Sequence, residues 1–110
     1  MSEPITQEKA EAASEWIRDH AAAFGKAKSE RVYLEEFRKS KKALLMQLAP
    51  TDLKSSAAQE SWAYSQPEYL EVLQGLKVAV EKEETIRWQL IAAQVRIELF
   101  RTIEASNRRG

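Results

Sequence analysis

The sequence predicts an all-α fold: an antiparallel hairpin of two long helices with a short helical connection, dimerising into a four-helix bundle. Three observations predict it. The 110 residues contain only 3 Gly and 3 Pro, too few to punctuate strands and tight turns. Two long stretches, from Ile5 to Leu48 and from Glu68 to Ser106, contain no proline. In both, apolar residues recur at steps of three and four, the spacing of one helical face.

The first helix is expected over about residues 5–48, with Ser2 as its cap and Pro4 in its first turn. Its stripe runs through Ala13, Trp16, Ile17, Ala23, Phe24, Ala27, Leu34, Phe37, Leu44, Leu45 and Leu48. Gly25 interrupts it at a cost of about 1 kcal/mol relative to Ala. One unbroken helix and a break near Gly25 are both open at this point.

Pro50-Thr51-Asp52 ends that helix, and residues 50–66 form the connection, with a short helical turn over Ser55 to Tyr64. The second long helix is expected over about residues 67–106. Ser65 and Glu68 have capping-box spacing, and Pro67 suits a first turn. Its stripe passes through Tyr69, Leu73, Leu76, Val80, Leu90, Ile91 and Ile97, and Arg108 and Arg109 trail its C-terminal end. The whole is expected to be a single helical domain.

A connection of this length allows reversal, so the long helices are expected to pair antiparallel. Setting Leu48 near Leu70 places Gly75 against Ala43 and Gly25 against Ala93, where small residues let backbones approach. The same register sets Glu30 and Arg31 near Glu84 and Arg87 as a polar layer.

One hairpin does not shelter the second helix. Ile86, Trp88, Leu90, Ile91, Val95, Leu99, Phe100 and Ile103 spread around most of its circumference, and such a helix is normally buried on several sides. Val72, Ala79, Ile86, Ala93 and Phe100 also repeat every seven residues, which suggests a second seam. A homodimer or higher oligomer is therefore expected, with the eight residues from Ile86 to Ile103 as its interface. A different protein covering the face, or a three-helix monomer broken at Gly25, are the alternatives.

Lys and Arg total 17, as do Asp and Glu, so the net charge is zero and no global field draws the chain to nucleic acid or membrane. No Cys occurs, which excludes disulfides and thiolate chemistry. Met1-Ser2-Glu3-Pro4 has no basic stretch followed by an apolar run, so no signal peptide is expected, and the cytoplasm is the expected compartment. No run approaches the roughly 20 apolar residues that span a bilayer.

His20, the one histidine, sits beside Trp16, Ala23 and Phe24 and reads as a packed boundary residue. Glu35, Glu36, Glu81, Glu83 and Glu84 cluster without the Glu-x-x-His motif of di-metal bundles. No enzyme, cofactor or metal is expected. Arg38, Lys39, Lys41 and Lys42 form the densest basic patch, and Lys26 to Lys54 holds 8 basic against 4 acidic residues. Direct binding of DNA or RNA through this patch, helped by Arg108, Arg109 and the aromatic Tyr33, Trp62 and Tyr64, is the competing reading. A helix face neutralised within the chain, with Lys41 near Glu81, is favoured over it.

Two stretches carry a resemblance. Glu30 to Met46 reads ERVYLEEFRKSKKALLM, and Tyr64 to Arg108 contains PEYLEVLQGLK, EKEETIRWQLIAAQVRIELFR and EASNR. They resemble a group of short, uncharacterised helical proteins encoded by tailed bacteriophages and prophages, often among genes for recombination and single-strand annealing. The resemblance implies a non-enzymatic phage accessory factor in the cytoplasm of a bacterial host cell. Such a factor would dock on a DNA-processing partner protein, in recombination or replication.

Overall fold

The computed structural model describes residues 4–109. Its elements are α1 (Gln7–Gln47), α2 (Ser56–Tyr64) and α3 (Pro67–Arg109), with no strand among the described residues. The all-α hairpin with a short helical connection is thus the observed fold. The chain divides into two compact units: a first unit of Met1–Lys26 with Glu83–Gly110, and a second unit of Ala27–Lys82.

Local chemistry sets the element ends. Thr6 caps α1, its Oγ1 accepting from the Lys9 backbone N–H at 3.2 Å. Pro4 precedes the helix rather than filling its first turn, and the expected cap Ser2 lies outside the described residues. At the other end, Leu48 and Ala49 donate back to Leu45 and Met46 at 2.9 and 3.2 Å, tightening the last turn before Pro50. Ser55 caps α2: its backbone is extended, and its hydroxyl accepts from Ala58 N–H at 3.1 Å.

The expected capping box at Ser65 does not form. Only Ser65 and Gln66 separate α2 from α3, so Ser65 ends α2, its hydroxyl donating to the Trp62 carbonyl at 2.7 Å. Gln66 opens α3 instead, its carbonyl accepting from Tyr69 and Leu70 at 3.1 Å each.

α1 runs unbroken through Gly25. The expected contact between Gly25 and Ala93 is not made, because a Cβ at Gly25 meets nothing within 4 Å. Gly25→Ala is therefore expected to stabilise the protein by about 0.5–1 kcal/mol, through lower unfolded-state entropy and better helix propensity. A urea midpoint that rises at unchanged slope would show it; a falling midpoint would mean the site is not open.

In the second unit the nearest atom to a Cβ at Gly75 is Leu34 Cδ1, at 4.0 Å, not Ala43. The register is shifted by about two and a half turns of α1 from the one expected. α2 is the reason. It packs beside the last turns of α1, where fully buried Ala63 meets Leu45 and Tyr69, flanked by Met46, Trp62 and Leu73. α3 consequently meets α1 further toward its N-terminus, and Leu48 and Leu70, expected to face each other, are exposed.

Among the described residues the buried hydrophobic ones are Ala10, Ala13, Ala27, Leu45, Ala63, Tyr69, Ala79 and Ala93. Six of the eight are alanine, so the helix seams are built on methyl groups. Such seams let axes approach closely but bury few large side chains. Trp16, Ile17, Phe24, Leu34 and Phe37 of the expected α1 stripe are half-buried, whereas Ala23, Leu44 and Leu48 are exposed.

Candidate functional site

The part of α3 in the first unit presents two faces. The inner one carries buried Ala93 with half-buried Ile86, Leu90, Ile97 and Phe100. The heptad series Val72, Ala79, Ile86, Ala93 and Phe100, expected as a second seam for a partner, is half-buried or buried throughout and so belongs to packing within the chain. The outer face carries Trp88 (59% exposed), Val95 (58%), Leu99 (46%) and Ile103 (37%). With exposed Ala92 they follow one another at helical steps of three and four and form a continuous apolar stripe. Ile91, half-buried, borders it. The eight residues expected at an interface thus split: Trp88, Val95, Leu99 and Ile103 point outward, while Ile86, Leu90 and Phe100 already serve the inner face.

Trp88 is held in place. Its indole N–H donates to Glu84 Oε2 at 3.1 Å, and the Arg87 guanidinium lies 4.9 Å from the ring centroid. Arg87 closes the arrangement, its Nη2 2.9 Å from Glu84 Oε2. The hydrogen bond from Arg87 holds the Glu84 carboxyl below its ordinary value and raises the Arg87 guanidinium. Glu84 therefore stays ionised at neutral pH, and its contribution fades only as pH falls through the lowered carboxyl value. The spacing Glu84-x-x-Arg87-Trp88 was readable as i,i+3 and i,i+4 neighbours, though sequence reasoning did not single it out. A second pair, Arg101 Nη1 to Glu98 Oε1 at 3.0 Å, repeats the pattern two heptads further on.

Two open grooves lie in the first unit. One, of about 540 Å³, is lined by Ala10, Ser14, Ile97, Phe100 and Glu104 among others. The other, of about 750 Å³, includes Ile5, Ala13, Trp16, Ala93 and Arg96. His20 lines neither. Its ring stacks on Trp16 at 3.8 Å and 11°, and its Nδ1–H donates to the Trp16 carbonyl at 2.8 Å. Among the described residues, no group of three His, Asp or Glu side chains is placed to hold a metal ion.

No family model, curated protein or solved structure matches this chain.

The basic patch lies in the second unit. Lys39 pairs with Glu36 at 3.3 Å, and Lys42 sits 3.9 Å from Glu60 and 5.6 Å from the Tyr64 ring centroid. Arg38 and Lys41 are half-buried. Carboxylates thus engage part of the positive charge, and Tyr64 packs against Tyr69 with centroids 5.1 Å apart. Exposed Tyr33 stacks on Phe37. Arg108 and Arg109 are exposed in the last turn of α3. No helix among the described residues is long and apolar enough to cross a membrane.

Proposed function

We propose that this chain is a non-enzymatic helical interaction protein that acts through protein–protein contacts and associates with itself through the outer face of α3. The observation that carries the reading is surface area. The chain exposes 8237 Å². A folded monomer of 12.6 kDa exposes roughly 6,200 Å². The excess is about 2,000 Å², and the exposed surface includes the stripe of Trp88, Val95, Leu99 and Ile103.

The resemblance of residues 30–46 and 64–108 to helical proteins of tailed phages supports an accessory role of phage or prophage origin. Recombination or replication in the host cytoplasm is the process that this resemblance implies, because members of that group are often encoded among recombination genes. The charged outer surfaces then meet a DNA-processing partner protein. Sedimentation equilibrium over a wide concentration range tests the association: a mass tending to twice 12.6 kDa is expected. A monomer at the highest concentration would defeat the reading.

A further inference from the structure

Resting on the role in protein–protein contacts proposed above, we infer that the larger groove of the first unit docks an amphipathic helix of a partner protein, one whose apolar stripe is flanked by carboxylates on both sides. The groove lies wholly within the first unit, between α1 and α3, and has a volume of about 750 Å³.

Charge decides the kind of helix. Among the described residues, the ionisable side chains that line this groove are Lys9 from α1 and Arg96 from α3, one on each bank, and no carboxylate lines it. Arg96 is exposed and makes no ion pair with a described residue. The smaller groove differs, because Glu11 and Glu104 offset Arg101 and Arg108 there. The chain as a whole is neutral, so the excess of positive charge along the larger groove is local. A helix laid in it meets a cation on either side of its apolar stripe. Acidic flanks answer both cations, whereas basic flanks are repelled by both.

Shape decides that the occupant is a helix. Half-buried Trp16 of α1 lines the groove, and the alanines at 12, 13, 92 and 93 leave no bulk at its centre. A trough between two packed helices accepts the side-chain ridge of a third. Two helices shelter one stripe each, and a third completes the layer. Ala92 also belongs to the exposed α3 stripe, so the apolar surface continues from the groove onto the outer face of α3.

Two labelled synthetic peptides, titrated with the full chain and followed by fluorescence anisotropy, test this. Each is a helix of about 18 residues, five turns long, with the same leucine and alanine stripe. One carries Glu on both flanks of the stripe, and the other carries Lys. The acidic peptide is expected to bind at least about tenfold more tightly than its basic twin. Equal binding, tighter binding of the basic peptide, or binding of neither overturns the inference. Sedimentation keeps this separate from self-association. A monomeric chain that binds the acidic peptide retains the groove and loses the dimer, and a dimeric chain that ignores the peptide does the reverse. Peptide affinity that falls as the protein is concentrated would put a second copy in the groove and overturn the inference.

Three variants place the peptide on the chain. Arg96→Glu should weaken the acidic peptide about tenfold. Ala12→Trp, which fills the groove without changing its charge, should weaken it at least as much. Arg108→Glu makes the same change of charge beside the smaller groove and should leave binding close to the parent. All three positions are exposed, so helix content by circular dichroism should match the parent in each. Equal losses from Arg96→Glu and Arg108→Glu would mean general attraction to the chain, and unchanged binding by Ala12→Trp would place the peptide elsewhere; either overturns the inference.

Discussion

Leu45→Ala is expected to lower the free energy of unfolding by about 3 kcal/mol, the usual cost of emptying a well-packed leucine site. Leu45 is 5% exposed and is the largest buried aliphatic side chain among the described residues. It joins all three helices of the second unit, touching the cluster of Ala63 from α2 and Tyr69 from α3. Leu48, three residues on and 71% exposed, serves as the control, and Leu48→Ala should change stability by less than about 0.5 kcal/mol. Urea unfolding followed by circular dichroism compares the two. Equal effects would show that the cluster does not hold α2 in place.

Leu99→Glu is expected to weaken self-association by more than about a hundredfold while leaving helix content and thermal unfolding of the monomer close to the parent. In one chain Leu99 is 46% exposed, so a carboxylate there remains hydrated. In the associated state the same carboxylate loses water in the middle of an apolar seam without a partner, at a cost of several kcal/mol. Leu90 is half-buried on the inner face, and the same substitution there acts on the fold of one chain. Sedimentation and circular dichroism on both variants separate the two faces of α3. A Leu99→Glu chain that dimerises like the parent would place the interface elsewhere.

The helical class and the limits of the two long helices were legible because proline spacing and three-four periodicity act over many residues and survive local error. The short helix was legible over Ser55 to Tyr64, and Ser55 caps its start. What misled was local chemistry shared between neighbours. Ser65 and Glu68 have the spacing of a capping box, but with two residues between α2 and α3 the hydroxyl serves the carbonyl behind it. The register was missed because the connection was treated as a passive loop, whereas α2 takes up space beside the end of α1 and moves the point where α3 arrives.

The two faces of α3 were partly legible. Ile86, Leu90, Trp88 and Val95 are all apolar, and nothing in their type distinguishes inner from outer. Alanine does not separate them either, since Ala79 and Ala93 are buried where backbones approach while Ala92 is exposed on the outer face. The basic patch is dense in the sequence, but its tie to Glu60 depends on a helix, α2, whose position no sequence pattern specified.

An alanine-lined seam has a consequence of its own. Methyl groups are nearly interchangeable, so two helices that meet through them re-form much the same contacts after sliding by one turn. Such a joint carries little information about alignment, and a bulky, uniquely shaped knob has to supply it. The second unit has one in Leu45, gripped between Ala63 and Tyr69. Among its described residues the first unit buries Ala10, Ala13 and Ala93 with the carboxylate-bearing Glu83, and no large apolar side chain.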